Sequence, residues 1–99
     1  MDYKYGIIPS YQIHNEKKRL CGAVFKLLPY KQEKYELLDE YFSSILFRIN
    51  GLNKLLYEPP EVIPLLSILQ SARHETDFHK YRKAILDSCS LINSIKEDD

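Results

Sequence analysis

The side chains most suited to chemistry are concentrated in one seven-residue segment, RHETDFH, at positions 73–79. If this segment is helical, Glu75 and His79 share one face, and His74 and Asp77 share another. Each pair could supply two metal ligands, but two ligands do not make a metal site, and the third histidine of the chain is distant in sequence. We therefore expect no metal ion and no cofactor.

The same segment resembles the signature of HEPN-domain ribonucleases, in which an arginine is followed by a polar residue, a short spacer and a histidine. The matching residues are Arg73, His74 as the polar follower, and His79. The resemblance implies a small, all-helical and usually dimeric nuclease, whose arginine and histidine meet across the dimer to activate the ribose hydroxyl and stabilise the phosphate. The competing interpretation is a solvated turn whose polar residues cap two helices.

Motifs for other kinds of catalysis are missing from the sequence. It has no glycine-rich phosphate loop, no CxxC, no HExxH and no nucleophile elbow. Fourteen basic residues balance fourteen acidic ones, which argues against a nucleic acid or an acidic membrane as the partner. No apolar run approaches the roughly 20 residues of a membrane span, and the first 15 residues lack the apolar core of a signal peptide. We expect a cytoplasmic protein.

The two cysteines and the one basic run receive simple interpretations. Cys21 and Cys89 each fall on a predicted apolar face, which predicts reduced, buried thiols that pack as small hydrophobic groups. The run Lys17, Lys18 and Arg19 invites a phosphate-binding interpretation, but no second basic cluster extends it. We expect a solvated charged face.

The strongest helical periodicity lies in residues 31–56. Apolar residues recur there at steps of three and four, at Leu38, Tyr41, Phe42, Ile45, Ile49, Leu52 and Leu56. A second stripe, Leu37, Leu46, Phe47 and Leu55, lies beside the first. An apolar arc this wide predicts a central helix that is covered on several sides. Gly51 costs this helix about 1 kcal/mol, and either a close helix crossing or early fraying would account for it.

The remaining elements follow from periodicity and from helix breakers. We predict an extended N-terminal arm over residues 1–14 and further helices over 15–28, 60–72 and 76–95. Between the last two helices the apolar face rotates by about half a circle. Either the chain turns at residues 73–76, with Thr76 as the cap, or one long helix changes partners midway.

These elements predict one all-α domain over residues 1–99, a small antiparallel bundle of three to four helices with an extended N-terminal arm. Near-zero net charge and eight tyrosines, with no tryptophan, favour a protein-binding surface. The candidate interface residues lie on the arm or near helix ends: Tyr3, Tyr5, Ile7, Tyr11, Tyr30, Tyr35 and Tyr57. The arm packs either on its own bundle or into a partner subunit.

The function that we expect is a small non-enzymatic protein–protein interaction module. Small size and the absence of a recognisable site suggest a regulator or inhibitor of a larger bacterial or phage protein. Its partners would be a second copy of itself, in a homodimer, and an unidentified protein. The alternative is an HEPN-like ribonuclease that uses Arg73 and His79.

Overall fold

The computed structural model describes residues 2–3, 6–7, 10–56 and 58–96, and most of them are helical. The helices are α1 (Ser10–Phe25), α2 (Leu27–Gln32), α3 (Leu38–Leu55), α4 (Val62–Arg73) and α5 (Phe78–Ser94). Two strands of two residues, β1 (Asp2–Tyr3) and β2 (Gly6–Ile7), pair antiparallel before α1. The predicted all-α class is confirmed. No helix in the described part of the chain is long and apolar enough to cross a membrane.

The first helix begins at Ser10, so the prediction of an extended arm as far as His14 is wrong at its end. Ile13 is 3% exposed and lies in the core with Leu20. Ile13 and Leu20 lie on one face of α1, but the charged residue Lys17 lies between them on the same face. The apolar stripe that would have predicted this helix is therefore interrupted in the sequence. Residues 1, 4–5 and 8–9 of the predicted arm lie outside the described residues.

A break at Lys26 divides the single helix that was predicted over residues 15–28. Pro29 accounts for it, because proline has no N–H to donate to the carbonyl of Phe25, and its ring crowds that carbonyl. The backbone bonds resume when Tyr30 N donates to Lys26 O at 3.1 Å. Pro29 lies in the first turn of α2, where a missing N–H costs nothing.

The third helix begins at Leu38, so the prediction of one helix from residue 31 is wrong over residues 33–37. Lys34 adopts a left-handed conformation with φ 55°, which ends α2. Tyr35 N then donates to Tyr30 O at 2.9 Å and Lys34 N to Lys31 O at 3.3 Å. This bonding pattern satisfies the last carbonyls of a helix, and glycine normally provides it.

The chain turns between α4 and α5, which decides between the two alternatives left open for this region. Asp77 caps α5, because its Oδ1 accepts the backbone N–H of His79 at 2.9 Å. The expected cap, Thr76, is not the capping residue.

Neither explanation that was predicted for Gly51 applies. Early fraying does not occur, since α3 continues to Leu55. No close helix crossing requires a glycine, since an added Cβ would meet nothing within 4 Å.

The helix with the most extensive packing is α5, which lies against both α4 and α1. Its inward face carries Tyr81, Ile85, Ser88, Cys89 and Ile92. The predicted central helix, α3, contributes Ile45 and Ile49 to the core but leaves Phe47 79% exposed. The prediction that the second stripe of α3 is covered is therefore wrong for Phe47 and for Leu37, which is 53% exposed, whereas Leu46 is buried. The side chain of Leu55 lies outside the described residues.

Polar contacts fix α1 and α2 against α5. Lys17 is only 5% exposed, and its Nζ donates to Ile95 O and, at 3.1 Å, to Asn93 O. Further along, Tyr81 OH donates to Leu27 O at 2.8 Å. These contacts pair the start of one segment with the end of the other, so α1 and α5 run in opposite directions. The expected solvated face is wrong for Lys17 and fits the exposed Lys18.

Ile45 tests this core, since it is 1% exposed on the inward face of α3. Ile45→Ala should lower the free energy of unfolding by about 2–5 kcal/mol, because the truncated side chain leaves a cavity. The measurement is urea unfolding followed by circular dichroism. The control is Ser44→Ala at the exposed neighbouring position, which should change stability by less than about 0.5 kcal/mol. Equal effects of the two changes would contradict the assigned face of α3.

Candidate functional site

Arg73, the arginine of the ribonuclease-like segment, is engaged in a contact between two helices. Its Nε donates to Asp39 Oδ1 at 2.6 Å, while Nη2 donates to Asp39 O at 2.7 Å and to Ser43 Oγ at 2.6 Å. Since Arg73 ends α4 and Asp39 opens α3, the guanidinium group holds these two helix ends together. The hydrogen bond from Arg73 lowers the pKa of the Asp39 carboxyl group.

His79 is the second residue of α5, and its side chain is exposed. No hydrogen bond or ion pair joins it to Arg73 among the described residues. Other members of the segment complete the turn, because His74 N donates to Ser71 O at 3.2 Å and Glu75 N to Ala72 O at 3.1 Å. In the described residues, no group of three or more His, Cys, Asp or Glu side chains could hold a metal ion. The geometry matches that of a capped turn.

The predicted interface tyrosines separate into different environments. Tyr30 and Tyr35 pack together with ring centroids 4.6 Å apart, which places an apolar contact over the end of α2. Tyr30 also meets Tyr41 edge-on at 5.1 Å. Tyr11 is 62% exposed and Tyr35 is 40% exposed. The candidates whose side chains lie outside the described residues are Tyr3, Tyr5, Ile7 and Tyr57.

Among the side chains that the structure describes, the two most exposed apolar ones were not predicted as interface residues. Phe47 on α3 is 79% exposed, and Ile63 on α4 is 70% exposed. The sequence did contain a signal for Phe47. Residues two positions apart on a helix point about 200° apart, so Phe47 cannot share a face with Ile45 and Ile49. The prediction of one wide apolar arc did not take account of this angle between Phe47 and the buried face.

A cleft of about 550 Å³ opens between α1 and α3, and we call it the α1/α3 cleft. It is lined by Gln12, Ile13, Asn15, Glu16, Arg19, Arg48, Gly51 and Leu52. The buried members, Ile13 and Leu52, give it an apolar floor, while the more exposed charged members lie at its rim. Cavities of this size are typical of sites that bind small ligands or a few side chains.

The rim carries two guanidinium groups around one carboxylate. Glu16 Oε1 lies 3.0 Å from Arg48 Nη2, and Glu16 Oε2 lies 3.9 Å from Arg19 Nη1. The side chains are 36% exposed for Arg48, 40% for Glu16 and 75% for Arg19. The ion pair between α1 and α3 is therefore a solvated one, of the kind that contributes about 0–1 kcal/mol. This site could not be predicted from the sequence, because its residues come from two helices that are distant along the chain.

The cysteines face each other across α1 and α5. Cys21 Sγ lies 3.7 Å from Cys89 O, and Cys89 Sγ lies 3.8 Å from Cys21 O. Both are free thiols. Burial raises the pKa of both thiols, in the case of Cys89 to about 12. Because the thiolate is the reactive form, this environment disfavours nucleophilic chemistry.

No protein-family model, no curated protein and no solved structure matches this chain.

The contact between Arg73 and Asp39 predicts a pH-dependent stability. Arg73→Gln should lower the melting temperature at pH 7. The lowered pKa means that folding favours the ionised form of Asp39. The contribution of this carboxylate to stability is therefore fully present above its unfolded-state pKa of 3.8, and it is lost as the pH falls from there through the lower pKa of the folded state. The difference in melting temperature between wild type and Arg73→Gln should therefore narrow from pH 7 to pH 3, as measured by calorimetry.

Arg82→Gln is the matched control, because Arg82 is exposed on α5 and makes none of the described hydrogen bonds or ion pairs. It should leave the melting temperature nearly unchanged at both pH values. If the melting temperature of Arg73→Gln were below that of wild type by the same amount at pH 7 and pH 3, the ionised Asp39 would not contribute to stability.

The thiol environments predict slow labelling of the native protein. At pH 8 a chromogenic disulfide reagent should react more slowly with Cys89, which is 5% exposed, than with the half-buried Cys21. Rates would be measured on Cys21→Ser and Cys89→Ser, each of which retains one thiol. In denaturant both rates should become fast and equal. Rapid labelling of native Cys89 would show that its face of α5 is open to solvent.

Proposed function

We propose that this chain is a small non-enzymatic protein–protein interaction module that forms a homodimer and regulates or inhibits a larger protein. The observation that carries the proposal is the exposure of Phe47 and Ile63. They lie on α3 and α4, the two helices that Arg73 holds together. Contact with another protein would remove these side chains from water, which stabilises a complex.

A two-fold dimer suits such a surface because both copies contribute the same patch to the interface, so that Phe47 and Ile63 of each copy are buried together. Zero formal net charge leaves little electrostatic repulsion between copies. Full burial of a Phe or Ile side chain stabilises by about 1.5–3 kcal/mol, whereas association costs about 4–15 kcal/mol. Phe47 and Ile63 would thus be anchors within a larger interface, and a specific one buries more than about 1,000 Å² in total.

Within this proposal the helices form an antiparallel bundle, and an N-terminal arm, to which the paired strands β1 and β2 belong, precedes α1. The opposed directions of α1 and α5 support the bundle, as does the contact between the end of α4 and the start of α3. A reducing, cytoplasmic location is also part of the proposal, and it is supported by the free thiols Cys21 and Cys89.

The ribonuclease interpretation has less support. Its arginine would have to reach a phosphate group, but the Arg73 guanidinium group already donates to Asp39 and Ser43. Turn formation and helix capping account for the neighbouring polar residues without any catalytic role.

Light scattering over a concentration series tests the dimer. The wild-type chain should have the mass of a dimer at micromolar concentrations, and Phe47→Ser and Ile63→Ser should each shift the mass toward the monomer. The melting temperature of the isolated monomer should change little, because neither side chain contributes to the core. The matched control is Tyr11→Ser, which removes an exposed aromatic group from α1 and should leave the dimer intact.

Three results would contradict parts of this proposal. A wild-type monomer at every concentration would exclude the homodimer. Dissociation by Tyr11→Ser but not by Phe47→Ser would move the interface to α1 and to the predicted tyrosine surface. Cleavage of RNA by the wild-type chain that disappears in His79→Ala would replace the interaction module with the ribonuclease.

A further inference from the structure

We infer that the α1/α3 cleft binds a peptide segment of a protein partner in which a carboxylate side chain lies beside an apolar one. This inference rests on the proposed interaction function and names the chemistry that the partner must offer. Two features of the cleft support it. Ile13 and Leu52, which are 3% and 7% exposed, form an apolar floor, and Arg19 and Arg48 stand at the rim.

The charge at the rim selects the carboxylate. Two guanidinium groups share the single carboxylate of Glu16, so among the described residues that line the cleft one positive charge is left uncompensated. Among the described contacts, Arg48 uses only Nη2 to bind Glu16, although a guanidinium group offers five N–H donors. A ligand carboxylate could accept from the other donors in a forked arrangement.

Glu16 also limits the charge that the ligand can carry. A phosphate dianion would lie close to this carboxylate and be repelled, and it would gain nothing from the apolar floor. A side-chain carboxylate brings a single charge, and a neighbouring apolar side chain can cover Ile13 and Leu52. The volume of about 550 Å³ holds two or three side chains, but not a folded element.

Gly51 lines the cleft without filling any of it. It lies within α3, where alanine would be the better helix former, and an added Cβ would meet nothing within 4 Å. Packing therefore does not require a glycine here. Gly22 has the same setting within α1 but lies outside the residues that line the cleft. The two glycines form a matched pair for an experiment.

The test is a titration of the full chain followed by amide NMR spectroscopy. The probe is an acetylated, amidated peptide of five residues with a central aspartate flanked by leucines, and its counterpart carries asparagine. We expect the aspartate peptide to give saturable shifts in residues 12–19 and 48–52. The affinity for the asparagine peptide should be lower by at least about tenfold, because a hydrogen bond to a charged group is lost.

Two variants locate the site. Gly51→Leu places a side chain in the cleft and should weaken binding at least about tenfold, whereas Gly22→Leu should leave the affinity unchanged. Arg48→Gln should abolish the preference for aspartate over asparagine. The inference is overturned by a lack of saturable shifts, by equal affinities for the two peptides, or by equal affinities of the two glycine variants.

Failure of this inference can be told apart from failure of the proposed function. Peptide binding is read from residues 12–19 and 48–52, whereas the dimer is read from the molecular mass. A stable dimer without peptide binding would remove the ligand site alone. A monomer that binds the aspartate peptide would remove the homodimer and keep the site.

Discussion

The packing of this protein depends on one buried cation. Removing the Lys17 ammonium group from water is unfavourable by several kcal/mol unless hydrogen bonds replace the lost hydration. The carbonyl groups of Asn93 and Ile95 provide them, at the negative end of α5, where the helix dipole favours a positive charge. Because this contact fixes the position of α1 along α5, it also sets Cys21 against Cys89 and Leu27 against Tyr81.

The contacts between the other helices are unequal in strength. A short turn, capped by Asp77, joins α4 to α5, and the Arg73 guanidinium group bridges α4 and α3 with three hydrogen bonds. Between α1 and α3 the described polar contacts are Tyr41 OH to Ala23 O, at 2.8 Å, and the solvated Arg48–Glu16 pair. The cleft lies at this weakly closed boundary, where packing leaves room for a ligand.

Sequence periodicity predicted the helical class because the apolar stripes of α3, α4 and α5 are long and regular. It failed where one residue broke a general rule. Lys17 interrupts the stripe of α1, so the start of that helix was assigned to the arm. Lys34 ends α2 in a left-handed conformation that glycine or asparagine usually signals. The cleft could not be predicted, because Glu16 and Arg48 meet only when α1 and α3 are packed.

The weakness of the Arg48–Glu16 pair is itself suited to binding. Both side chains are more than a third exposed, so their attraction is largely screened by water. A ligand carboxylate that pairs with Arg48 beside Glu16 would therefore disrupt little of the folded structure, and Glu16 also lies near Arg19. A buried, fully bonded arginine could not accept a second carboxylate in this way, because its donors are already used. Fold stability thus rests on Lys17 and on the apolar core, and the rim of the cleft remains available for recognition.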